Sequence, residues 1–192
     1  MNLSFVKSCL AAAALLISAS VNAATDTYGT LLAGSFQPAD SFASLSYTNT
    51  GNVYDFTLTA FDLDTIFTNG AFIGAIAVDS DFVPTISNVT GDTVVSVAPG
   101  GGPTGVFDFR FDLTGPQQAR LTANETVSFT ATFSDPVVLT SSSFALHVQG
   151  LTDAQGGSAW YTPAVPEPET YAMLLAGLGL VGFIGRRRMS KR

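Results

Sequence analysis

Hydrophobic and polar residues alternate one by one in four stretches of this chain. Val53 to Phe61 reads VYDFTLTAF, with Tyr54, Phe56, Leu58 and Ala60 on one face and Asp55, Thr57 and Thr59 on the other. Val106 to Leu113 reads VFDFRFDL, where Phe107, Phe109, Phe111 and Leu113 oppose Asp108, Arg110 and Asp112. In Val127 to Phe133, apolar Val127, Phe129, Ala131 and Phe133 alternate with Ser128, Thr130 and Thr132. Phe144, Leu146 and Val148 alternate with Ala145 and His147. A period of two is that of a half-buried β-strand. Residues 71–78, AFIGAIAV, are apolar throughout and read as a buried central strand. Turn signals separate these runs, among them Asn49-Thr50-Gly51-Asn52, Asn69-Gly70, Pro99 to Pro103, Asp135-Pro136 and Gly156-Gly157. The spacing predicts seven to ten short strands in an all-β antiparallel fold, a β-sandwich or jelly roll.

Both ends break this pattern. Lys7 precedes an apolar run from Cys9 to Ala19, and Val21-Asn22-Ala23 offers small residues for a signal peptidase. Residues 1–23 are therefore expected to be a signal peptide, cut between Ala23 and Ala24. Cys9 would leave with it, and the mature chain would have no cysteine. The domain is bounded at 24–162, although the sequence from Ser158 onward already looks like linker. Residues 163–170 form a stiff, polar Pro/Glu linker, because repeated X-Pro units oppose helix. Residues 171–185 carry no charge and are expected to form a hydrophobic transmembrane helix, short of the roughly 20 residues of a comfortable span. Arg186, Arg187 and Arg188 open a basic tail, 186–192, that favours a cytoplasmic C-terminus.

The phrase from Val165 to Arg188, VPEPETYAMLLAGLGLVGFIGRRR, resembles the PEP-CTERM sorting signal of Gram-negative bacteria. The resemblance implies that Val165, Pro166, Glu167 and Pro168 are recognition residues for an exosortase. It also implies that Arg186 to Arg188 form the positive stop. Signal peptidase and exosortase are then the partners during export. The destination is the envelope surface or an exopolysaccharide matrix, with the membrane helix as a transient anchor. A plain membrane anchor is the alternative reading of the same tail. Three short phrases of the domain also resemble exported domains that carry such tails: Gly70-Ala71-Phe72-Ile73-Gly74, Leu146-His147-Val148-Gln149-Gly150 and Trp160-Tyr161.

Charge narrows the partners further. Residues 24–165 hold 13 acidic residues and two basic ones, Arg110 and Arg120, a net of 2 − 13 = −11. Nucleic acid is excluded as a partner on that balance. One histidine and no mature cysteine exclude a zinc site built from those ligands. His147 lacks any recognisable triad partner, and no Gly-x-Ser-x-Gly turn is present. Asp62 with Asp64, and Asp79 with Asp81, are candidate calcium ligands, with solvated loop charge as the plainer reading. No cofactor is expected, with calcium as the one exception these carboxylates allow. Asp108, Arg110 and Asp112 read as a surface charge ladder, or as a grip on a sugar or carboxylate through Arg110. Trp160 and Tyr161 are candidate glycan contacts, or else packing at the domain's end. No spacing singles out the two carboxyl groups of a glycosidase, so the domain is not expected to be an enzyme. The sequence thus points to a structural or adhesive surface protein. A carbohydrate-binding or ice-binding-like module, calcium-assisted or not, is the alternative.

Overall fold

Each alternating stretch becomes a strand whose bounds differ by a residue or so from the pattern. The structure, a computed structural model, describes residues 22–67, 70–91, 93–103, 105–164 and 177–178. Ten strands follow in order: β1 (Asn22–Ala33), β2 (Ala43–Thr50), β3 (Val53–Ala60), β4 (Phe72–Val78), β5 (Thr85–Thr90), β6 (Val94–Gly101), β7 (Phe107–Thr114), β8 (Thr126–Thr132), β9 (Phe144–Gln149) and β10 (Ser158–Pro163). One helical turn, α1 (Leu63–Ile66), links β3 to β4. The signal peptide up to residue 21, the sorting motif Val165 to Pro168 and Arg186 to Arg188 lie outside the described residues. So does the hydrophobic run 171–185, save Gly177 and Leu178. No helix among the described residues is long and apolar enough to cross a membrane.

All pairings are antiparallel, and the strands form one ten-stranded sheet in the order β5-β8-β3-β2-β1-β10-β9-β4-β7-β6. The all-β antiparallel reading holds. The two separate sheets of a sandwich or jelly roll do not appear; the single sheet curls until it is nearly closed into a barrel. The physical reason is β1. Its first part, Asn22 to Tyr28, pairs with β2, and its second part, Tyr28 to Ala33, pairs with β10. Register shifts between Tyr28 and Thr30 and between Leu31 and Ala33 bend the strand as it changes neighbour. Beyond Tyr28 the edge that faced β2 needs other partners. Gln37 provides them: its Oε1 accepts from Leu31 N at 2.8 Å, and its Nε2 donates to the Gly29 carbonyl.

Two segments that read as turn and linker are strands. Pro99 to Gly101 looked like a turn but extends β6, with Pro99 opposite Phe109 and Gly101 opposite Phe107. Proline is tolerated there because β6 is an edge strand and the missing N–H faces no partner. Ser158 to Pro163 looked like linker but is β10, lying between β1 and β9. Past Pro163, the Ala164 N–H still donates to the Thr27 carbonyl at 2.7 Å.

The barrel interior is filled by aromatic rings from both halves of the sheet. Phe56 of β3 sits 5.7 Å from Phe111 of β7, 5.2 Å from Phe129 of β8 and 5.7 Å from Phe144 of β9. Offset and edge-on pairs of this kind add to the area they bury. Tyr54 and Tyr161 also pin loops. Tyr54 Oη donates to Val137 O at 2.9 Å, and Tyr161 Oη donates to Phe36 O at 2.8 Å. Tyr28 differs, because its buried hydroxyl has no partner among the described residues. Burial and the nearby Asp26 charge push its pKa well above the usual tyrosine value. Phe56→Ala is expected to cost about 3–5 kcal/mol in urea unfolding. Tyr28→Phe is expected to be neutral or stabilising, since it removes an unpaired buried hydroxyl; a loss as large as that of Phe56→Ala would contradict this account of the core.

Candidate functional site

Strand alternation sends one set of side chains into the barrel and the other outward. On the outer face, pairing aligns Trp160 (β10) with His147 (β9), His147 with Ala75 (β4), and Ala75 with Asp112 (β7). One step along, Ala145, Ala77 and Arg110 are aligned in the same way. Past Phe72, β4 thus presents small residues, and at Ala75 it lies between the taller His147 and Asp112. A register shift between Ile73 and Ala75 places Gly74 on this floor as well. A Cβ on Gly74 would collide with the Gln149 side chain, so glycine keeps the floor low and Gln149 in place. The result is a cleft of about 510 Å³, within the range of ligand sites. Its walls stand two strand spacings apart, roughly 9.6 Å.

One wall is aromatic. The Trp160 and His147 rings stack at 4.3 Å with 4° between their planes. Beyond His147 comes only the methyl group of Ala75. Burial and the nearby Arg110 charge lower the His147 pKa, with Asp112 acting weakly against them. The imidazole is therefore neutral at neutral pH, and its nitrogens make no hydrogen bond among the described residues. The opposite wall is an ion pair. Arg110 Nε donates to Asp112 Oδ1 at 2.5 Å and Nη2 to Oδ2 at 3.3 Å, while Nη1 donates to the Gly100 carbonyl at 3.1 Å. The end of the cleft holds Arg120, whose guanidinium carbon lies 4.2 Å from the Phe72 ring centroid.

Residues singled out separately in the sequence thus meet here: Arg110, Asp112, His147 and Trp160. Phe72 and Gly74, His147 and Gln149, and Trp160 all line the cleft. Asp108 does not join them; its Oδ2 accepts from Ser80 N at 3.0 Å. Tyr161 is buried on the inner face, where burial raises its pKa to about 12, and it is not a surface contact. Sequence reasoning missed Arg120, Phe72 and Gln149 as site residues. The available signal for Arg120 was its rarity as one of two cations in the domain.

The other candidates lie elsewhere. Asp62 caps α1, accepting from Thr65 N at 3.3 Å, and Asp64 Oδ1 accepts from Gly70 N at 2.9 Å. Asp79 and Asp81 are exposed in the loop after β4. No three His, Cys, Asp or Glu side chains gather as a metal site among the described residues. Ala23 and Ala24 begin β1, opposite Thr48 and Tyr47. A cut between them removes two pairs and leaves the ladder from Ala24 onward.

Neutral His147 makes stability depend on pH. Its folded pKa lies below the unfolded value near 6.5, so the stabilisation is full above about pH 6.5 and is lost as pH falls through the folded pKa. His147→Gln is expected to flatten the stability change between about pH 7.5 and 5.5, measured by urea midpoints. An unchanged slope would show that other groups carry it.

Residues 164–188 match the family model described as the PEP-CTERM protein-sorting motif. No curated protein and no solved structure matches the chain. This protein carries a PEP-CTERM sorting signal, which implies an exosortase-sorted protein exported to the envelope or the extracellular space.

Proposed function

We propose that this is a non-enzymatic adhesive component of the cell surface or exopolysaccharide matrix, which holds saccharide in the outer-face cleft. The cleft carries this reading. It combines an aromatic wall with polar side chains free to bond: Thr114, Gln149 and His147 line it and make no side-chain hydrogen bond among the described residues. A lining so polar suits a hydroxylated ligand better than an apolar one. Chemistry is disfavoured for a specific reason. Glycoside hydrolysis needs two carboxyl groups across a cleft. Asp112 is the one carboxylate in this lining, and both its oxygens are bound by Arg110.

The tail supports the same use. β10 ends at Pro163 and continues directly into the linker. Residues 164–170 span at most about 25 Å. Until an exosortase acts, the domain would stand close to the membrane, with the C-terminus cytoplasmic. Trp160 lies three residues before Pro163, roughly 10 Å along the strand. Until the tail is cut, the cleft would therefore stand close to the outer side of the inner membrane.

The full chain in detergent should bind the producing cell's exopolysaccharide saturably in calorimetric titration, without releasing new reducing ends. Trp160→Ala should weaken that binding by about tenfold or more. Absence of saturable binding would sink the adhesive reading. Independently, the intact mass of the native protein should lack Arg186 to Arg192; a mass retaining them would sink exosortase processing.

A further inference from the structure

We propose that the cleft takes a carboxylate-bearing saccharide and that Arg120 is the residue that reads the carboxylate. This deepens the saccharide-binding reading and rests on it.

The two arginines of the domain are in different states. Arg110 is committed: Asp112 takes two of its donors, and the carbonyls of Pro99 and Gly100 take another. Arg120 has no carboxylate partner and no hydrogen bond among the described residues, although it is half-buried. Among the described residues its guanidinium lies over the Phe72 ring, which attracts the cation without occupying its N–H donors. Glu125 lines a smaller neighbouring cavity with Arg120, but does not neutralise it. Glu125 instead accepts from the backbone N–H groups of Thr122 and Ala123 and from the Thr122 hydroxyl.

Arg120 is also held in place. The residue before it accepts from Thr93 Oγ1 at its carbonyl, and Leu121 after it bridges to β4, with Ile73 N donating to Leu121 O at 3.0 Å. The backbone at Arg120 is therefore fixed, and the Phe72 ring is the contact that orders its guanidinium. Its planar fork matches a carboxylate by two parallel hydrogen bonds. With His147 neutral and Arg110 cancelled by Asp112, Arg120 leaves the cleft with one uncompensated positive charge in a domain of net −11. An anion is drawn to this point and repelled elsewhere.

The rest of the cleft selects a sugar as the bearer of that anion. Gln149 and Thr114 offer amide and hydroxyl groups to ring hydroxyls. The open face of His147, backed by Trp160, offers a plane against which a pyranose ring can lie. A free inorganic anion would use Arg120 and leave these groups unmet.

The test uses the full chain in detergent, titrated calorimetrically with oligogalacturonate and alginate oligosaccharides. The controls are the same oligosaccharides after carboxyl reduction, and a sulfated galactan oligosaccharide. At least one carboxylated probe should bind about tenfold or more tighter than its reduced form. R120Q should bring its affinity down to that of the reduced form, so that the variant no longer distinguishes the two probes. R120K, which keeps the charge without the fork, should fall between them and covers the case in which R120Q does not fold. Equal binding of carboxylated and reduced probes overturns this proposal and leaves the saccharide reading standing. Binding of no probe, neutral or charged, overturns both. Equal preference for the sulfated probe overturns the carboxylate assignment. Binding that requires calcium and is indifferent to R120Q assigns the contact to the acidic surface and overturns it as well.

Discussion

A strand that changes partners must still satisfy its backbone, and the rest of this fold depends on how β1 does so. At Tyr28 the strand leaves β2 and takes up β10. Glycine at position 29 allows the tight passage, since a Cβ there would press on the Ser41 backbone at 3.1 Å. Gln37 occupies the bonding positions that β2 no longer reaches. An unpaired backbone group costs about as much as a lost hydrogen bond. Without Gln37 the bend would leave such groups dependent on solvent. With it, four strands on one side and five on the other join into one sheet around one aromatic core.

That joint also produces the cleft. β10 is held in the sheet by β1 on one side and β9 on the other, which fixes Trp160 beside His147. β4 then serves two surfaces at once. Ile73, Ile76 and Val78 fill the barrel, while Gly74 and Ala75 form the outer floor and Ala77 packs with Ala145 and Phe107 beside Trp160. This explains why residues 71–78 are apolar on both faces. The outward residues are small rather than polar because taller neighbours shade them. A single larger side chain at Ala75 would fill the space that now separates the aromatic wall from the ion pair.

The sequence made some of this legible and hid the rest for physical reasons. Strands β3, β7, β8 and β9 were visible because one face of each lies in the core and the other in solvent, so the period of two is clean. β6 and β10 were not. The first is an edge strand that tolerates Pro99 and two glycines, and the second is short, with Ala159 and Tyr161 as its only clear inward pair. The outcome for the site is similar. Arg110, Asp112, His147 and Trp160 each stood out, but their convergence depends on pairings between strands far apart in the chain. Arg120 lies in a loop with no periodicity, so only its charge marked it. The exchange of two sheets for one follows from β1, whose bend rests on Gln37, a residue outside any strand pattern.

In the proposed reading, charge gives the cleft its selectivity. At an ionic strength near 0.15 M, interactions between exposed charges fade beyond about 8 Å. Most of the domain's acidic residues therefore act as a diffuse barrier to anionic polymers and contribute little inside the cleft. Within it, Arg110 is spent on Asp112 and Arg120 is not. A polyanion can approach only where one favourable contact outweighs the surrounding repulsion, and the outer face has one such point. A basic surface would hold acidic polymers anywhere and without order. In the proposed reading, an acidic domain with a single open guanidinium would hold them at one place, in the orientation set by Trp160, His147 and the direction in which β10 leaves the barrel.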